Sequence, residues 1–72
     1  MTKLGEYLER RAVNKSHVSR KTGISKQRIS EISLKETSRL QADEVYLIAL
    51  AIGVNPCELL EYVCSDVKLV AK

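Results

Sequence analysis

The chain has 72 residues and a formal net charge of +3, with three Tyr, no Trp and no Phe. That length suits one small domain whose modest core must be filled by Leu, Ile and Val. No apolar run approaches the ~18 residues of a membrane span and nothing resembles a signal peptide, so the cytoplasm is the expected location.

The charge is unevenly placed. Residues 1–39 hold ten Lys/Arg against four Asp/Glu, a net of +6, whereas residues 40–72 hold two Lys against five acids, a net of −3. A basic half fits a polyanionic partner. By itself it fits a solvated surface equally well, so the fold must decide.

In chain order, residues 2–11 are expected to form a first helix. Thr2 is its N-cap, and Leu4, Tyr7 and Leu8 make an apolar stripe. Gly5 should weaken this helix by about 1 kcal/mol relative to Ala. Asn14, a strong N-cap preceded by Val13, opens a second helix over residues 15–22. His17 is expected on its solvated side rather than as a ligand or base. Gly23 supplies the left-handed residue that ends the helix. Ile24 then drops inward and Ser25 caps a third helix over residues 26–34. Three residues between two helices force a fixed crossing.

At 100° per residue, Ser25, Ile29 and Ile32 share one side of the third helix. Gln27, Ser30, Glu31 and Leu34 share the other, flanked by Lys26 and Arg28. This is the pattern of a helix-turn-helix. A polar loop carrying Lys35, Glu36 and Arg39 leads to a fourth helix over residues 41–52. Val45, Ile48, Ala49 and Ile52 are its core stripe, and Leu47 and Leu50 beside them suggest burial on much of the circumference. Asp43 and Glu44 suit the dipole of its first turn. Asn55, Pro56 and Glu58 start a fifth helix over residues 56–64. Cys57 and Cys64, seven apart on one helical face about 10 Å along the axis, cannot form a disulfide and are expected as reduced, half-buried thiols. Residues 65–72 alternate loosely and are open to three readings: a strand, a dimer contact or a frayed tail. The expectation is an all-α domain over residues 1–64 with a tail over 65–72.

The ordered marks Val13-Asn14-Lys15, Val18 through Ser25, Ile29-Ser30-Glu31-Ile32, Ile48 through Pro56, and Glu58-Leu59-Leu60 span about residues 3–64. With these marks the chain resembles the Cro/C1-type (XRE-like) helix-turn-helix family of bacterial and phage repressors. The resemblance implies a five-helix, lambda-repressor-like DNA-binding domain. Many members pair an Arg late in the first helix with a Glu just after the third. Here those places hold Leu8 and Ser33, and since both partners are absent together no unpaired buried charge remains. The family's Glu-x-Gly turn after the third helix is also missing, and residues 34–40 look one residue longer.

The resemblance implies that the third helix enters the major groove, which is wide enough for one helix. Gln27 can bond adenine bidentately and Lys26 can donate to guanine; Ser30 is short and adaptable. Glu31 can accept from cytosine N4 or repel phosphate at wrong sites. Arg28, at the flank, can reach a base or the backbone. Asn14, Lys15 and Ser16 open the second helix, where exposed N–H groups and the dipole suit a phosphate. Ser25, Lys35 and Arg39 are further phosphate candidates. A single domain this small suggests a homodimer on a palindromic double-stranded operator, joined through the fifth helix and the tail. The function expected is a sequence-specific transcriptional regulator, a repressor. The competing expectation is a protein-interaction module of the same fold, an antitoxin or adaptor.

His17, two cysteines and scattered acids form no nucleophile–base–orienter set. There is also no glycine-rich phosphate loop and no metal-ligand spacing. No enzyme activity, cofactor, metal or small-molecule ligand is expected.

Overall fold

The structure is a computed structural model that describes residues 1–70. Five helices follow one another: α1 (Lys3–Arg10), α2 (Lys15–Thr22), α3 (Lys26–Leu34), α4 (Ala42–Ile52) and α5 (Pro56–Val63), and the described residues contain no strand. The expected five-helix, all-α architecture is present, with ends shifted by a residue where a cap was counted as helix. Thr2, Gln41 and Cys64 are caps rather than helical residues.

The core is a single cluster. Leu4 and Leu8 of α1, Val18 of α2, Ile29 and Ile32 of α3, Val45, Ile48 and Ala49 of α4, and Leu59 of α5 are all buried. Each helix contributes the stripe its 3.6-residue period puts on one side. Packing joins α1 to α3 and α5, α2 to α3 and α4, and α4 to α5, so α3 is held between α1 and α2.

Caps set the ends. The Asn14 carboxamide oxygen accepts from the backbone N–H of Ser16 (2.8 Å) and of His17 (3.2 Å). Gly23 ends α2 at φ +79° and Gly53 ends α4 at φ +76°, a left-handed backbone that glycine adopts without penalty. The end of α1 is different: Ala12 takes φ +54°, and Val13 N–H closes onto the Leu8 carbonyl at 3.0 Å. A Cβ in that conformation costs about 1–2 kcal/mol, which the tight exit toward α2 must offset.

Gly5 proves to be a packing residue. A Cβ there would collide with the backbone carbonyl oxygen of Ser33 and come within 2.7 Å of the Met1 side chain. The loss of helix propensity at this site is the cost of bringing α1 against the end of α3. Thr2 closes the same seam. Its hydroxyl accepts from Gly5 N–H (3.0 Å) and bridges the α3 carbonyls of Ile32 (2.7 Å) and Ser33 (2.9 Å), while its own N–H donates to Ser33 (3.0 Å). One N-cap therefore also satisfies the last carbonyls of another helix.

Two expectations need correction. Cys57 and Cys64 are exposed, not half-buried. They share the face of α5 that carries Leu60 and Glu61, whereas the buried contact comes from Leu59 on the other side. On α4, Tyr46 and Leu50 are each 55% exposed, so that helix is buried on one side only. Of the tail, Val67 N–H turns back onto the Cys64 carbonyl at 2.9 Å; residues 67–70 then run exposed without regular structure. Residues 71–72 of the expected tail lie outside the described residues.

Candidate nucleic-acid interface

The bihelical unit is held by hydrogen bonds that its own sequence supplies. Ser19 of α2 donates to the Ile24 carbonyl across the turn at 2.6 Å. Thr22 donates back to Val18 (2.7 Å) and accepts from Ile24 N–H (3.1 Å). The Ser25 hydroxyl accepts from Arg28 N–H at 3.1 Å and caps α3. With Val18 and Ile29 fully buried between the helices, the crossing of α2 and α3 is rigid and leaves one ridge of α3 outward.

That ridge carries the expected base-reading side chains. Lys26 and Gln27 are exposed at the start of α3, with Ser30 and Glu31 half-exposed one turn later. Gln27, Ser30, Glu31, Leu34 and Lys35 border one shallow hollow. Leu34, 54% exposed, was not among the expected site residues. Its signal was visible in the sequence as an apolar residue on the polar side of α3. A branched methyl pair there is the kind of group that packs on a thymine methyl.

Apart from Ser25 at the α3 N-cap, the expected phosphate residues fall into two groups. Asn14, Lys15 and Ser16 sit together at the start of α2, and Lys35 and Arg39 sit beyond the end of α3. At α2 the picture needs one adjustment. The N–H groups of Ser16 and His17 are already taken by Asn14, so they are not open to an anion. What remains for a phosphate is the Asn14 amide NH2, the Lys15 ammonium and N–H, and the Ser16 hydroxyl. Ser25 still has its hydroxyl proton to donate, since its oxygen serves as the acceptor in the cap.

Arg28 is placed differently from the other four ridge residues. Its Nε donates to Glu44 at 2.8 Å and its Nη2 to the other Glu44 oxygen at 3.0 Å, a two-pronged pair with α4. Nη2 also donates to the Arg39 carbonyl at 2.7 Å, and Nη1 to Glu31 at 3.1 Å. Four hydrogen bonds leave the guanidinium one free N–H of five. Glu44 is 8% exposed and in turn accepts the N–H of Gln41, the α4 N-cap, at 2.8 Å. The hydrogen bond from Arg28 holds the Glu44 carboxyl below the usual carboxylate range; burial opposes it, and the Gln41 N–H adds to it. The same bond to Glu44 raises the Arg28 guanidinium above its ordinary value, so both partners stay charged.

This cluster was not legible in the sequence. Glu44 read as a first-turn acid for the α4 dipole, and nothing local links positions 28 and 44. The places where many relatives pair Arg and Glu are quiet here: Leu8 is buried, and the buried Ser33 hydroxyl donates to the Ile29 carbonyl at 2.7 Å.

A second surface lies away from the ridge. Tyr46 and Leu50 of α4 and Leu60 of α5 are exposed, and Tyr46, Leu60, Ala42, Val45, Pro56 and Cys57 border an almost wholly apolar hollow. On the α1–α5 side, the rings of Tyr7 and Tyr62 meet at a tilt of 58° with centroids 5.1 Å apart, the Arg10 guanidinium over Tyr62 and the Arg11 guanidinium over Tyr7, which draws two cations of the basic half toward aromatic faces.

Among the described residues no helix is long and apolar enough to cross a membrane. No curated protein and no solved structure matches the chain significantly. A family model, the Cro/C1-type HTH DNA-binding domain, matches residues 3–65, which takes in all five helices. With a rigid bihelical unit presenting an exposed polar ridge, and with that match over most of its length, the chain belongs to the Cro/C1-type helix-turn-helix DNA-binding family.

Proposed function

We propose that the protein is a transcriptional repressor that reads a palindromic operator in double-stranded DNA, as a homodimer, with the outer ridge of α3 in the major groove. The observation that carries this is the ridge itself. Lys26, Gln27, Ser30, Glu31 and Leu34 project from a helix whose opposite side is locked into the core, and Ile29 and Ile32 leave that helix no freedom to turn. Gln27 is the principal reader, bonding adenine; Lys26 donates to guanine, and Ser30 and Glu31 complete the set. Asn14, Lys15, Ser16, Ser25, Lys35 and Arg39 grip the phosphates on either side and set the register without reading sequence.

Support for the dimer comes from apolar surface that the single chain leaves uncovered: Tyr46, Leu50 and Leu60, with the exposed Val67, Leu69 and Val70 of the tail. Two copies joined there present two ridges, and a spacing of about 34 Å matches successive major grooves. Sedimentation across a concentration series should show dimers that Leu60→Asp disperses; a monomer with and without DNA would remove this part of the proposal.

The test of the whole is selection of bound sequences from random duplexes, followed by Gln27→Ala. The expected result is a symmetric consensus that loses preference at one or two positions per half-site in the variant, with weak binding retained. An unchanged consensus would take the reading role from Gln27. A wild-type chain that retains no duplex at all would point instead to a protein-interaction module.

A further inference from the structure

Arg28 is the one ridge residue whose charge is already committed. The other four have side-chain donors or acceptors facing solvent, while its guanidinium spends four N–H groups on Glu44, Glu31 and the Arg39 carbonyl. These three partners belong to different elements of the fold. Glu44 belongs to α4 and caps that helix through Gln41. Arg39 belongs to the loop that follows α3 and is itself a phosphate candidate. Glu31 stands on the ridge, three residues on from Arg28.

The geometry at Glu31 is one-sided. Its Oε1 is held by Arg28 at 3.1 Å, and among the described residues Oε2 has no hydrogen-bond partner. The side chain is 36% exposed and borders the same shallow hollow as Gln27 and Leu34. An unrestrained glutamate facing phosphates would swing away from the duplex. A glutamate tied by one oxygen to a fixed guanidinium is both oriented and partly neutralised, and keeps one acceptor for a donor in the groove. The donor that a carboxylate accepts in the major groove is the cytosine N4 amino group.

From this arrangement we infer that Arg28 is a positioning residue rather than a base reader: anchored on Glu44 and the Arg39 carbonyl, it holds Glu31 so that Oε2 accepts from cytosine N4. The inference rests on the proposed DNA-reading role of α3 and adds the assignment of one base to one side chain. It also gives Arg28 a second effect, since the bond to the Arg39 carbonyl sets where the loop's cations meet the backbone. The anchor is stiff because Glu44 is held from both sides, by Arg28 and by the backbone of Gln41.

The experiment is a pair of variants and their combination, measured on the selected operator and on operators with the cytosine of one half-site position replaced. Glu31→Ala should flatten the preference for cytosine at that position by roughly tenfold. Arg28→Lys keeps the charge but a single ammonium cannot span Glu44, Glu31 and the loop, so it should flatten the same position by a comparable factor. In the Glu31→Ala background, Arg28→Lys should change discrimination there no further, because its effect passes through Glu31. Thermal unfolding of each variant separates loss of fold from loss of reading, and a folded Glu44→Gln provides a second way to loosen the anchor with both ridge residues intact.

If Arg28→Lys instead flattens a guanine position that Glu31→Ala leaves alone, Arg28 reads a base directly and the inference fails. It also fails if the two variants act additively, or if Glu31→Ala leaves every position unchanged. A wild-type chain with no sequence preference overturns both this inference and the proposed function. A wild-type consensus with an unaltered cytosine position in all variants overturns the inference alone.

Discussion

The two faces of α3 obey different rules. The inner face is Ile29, Ile32 and Ser33, all buried, and its neighbours close in to backbone distance: the Ser33 carbonyl lies against Gly5, and Thr2 bridges the last carbonyls. The outer face is Lys26, Gln27, Ser30, Glu31 and Leu34, which have few partners within the chain. One face is specified by volume and hydrogen-bond closure, the other by what it leaves unsatisfied. The difference teaches that a recognition helix is precise because its back is overdetermined. Arg28 lies at the border and ties the two sides together through Glu44.

Substitutions should therefore separate by face, with inner changes costing stability and outer ones costing binding. The largest effect is expected at Ile29→Ala, which empties a fully buried site and should cost about 2–5 kcal/mol in denaturant unfolding. Gly5→Ala comes next. Helix propensity alone favours it by roughly 1 kcal/mol, yet the added methyl meets the Ser33 carbonyl. A net loss of about 1–3 kcal/mol is predicted, as for overpacked cores. A gain in melting temperature from Gly5→Ala would show that α1 and α3 are less closely joined than described. Thr2→Ala removes an N-cap and its bridge to α3 and should cost about 1 kcal/mol or somewhat more.

At the border, the prediction concerns pH. Folding lowers the Glu44 pKa, so its pairing stabilises the protein fully above the ordinary value of 4.5 and is lost as pH falls through 4.5 towards the folded value. Stability should decline over that acid window, and Glu44→Gln should remove part of the slope while lowering stability at neutral pH. Solvent around the partly exposed Arg28 keeps the effect below that of the core changes. The smallest change in stability is expected on the outer face, where Gln27→Ala should stay within about 0.5 kcal/mol while altering the bound sequence. A large loss of stability from Gln27→Ala would break the contrast between the faces.

The outer face and the helices were open to inspection in the sequence because each depends on local signals. Asn14, Gly23, Ser25, Gly53 and Asn55 mark ends through hydrogen bonds or backbone angles within a few residues. The alternation of Val18, Ile29 and Ile32 with polar neighbours marks the inner side. What remained hidden depends on residues distant in the chain. Gly5 looked like a weakness because its neighbour Ser33 is far along the sequence. Glu44 looked like a dipole acid because its partner Arg28 lies a helix away. The exposure of Cys57, Cys64 and Leu50 was missed for a related reason. Apolar residues on a short helix suggest burial, and only the packing of α4 on α5 shows which stripe the small core has room for.

The most direct test of the ridge as the DNA-reading surface is a titration of isotope-labelled protein with a selected duplex, followed residue by residue through backbone amide shifts. The account predicts that the largest shifts fall at the start of α2 around Lys15, along Ser25 to Lys35 and at Arg39. The amides of Tyr46, Leu50 and Leu60 should move no more in complex than dimerisation alone moves them. Shifts centred on α4 and α5, with the residues from Lys26 to Glu31 unmoved, would contradict it.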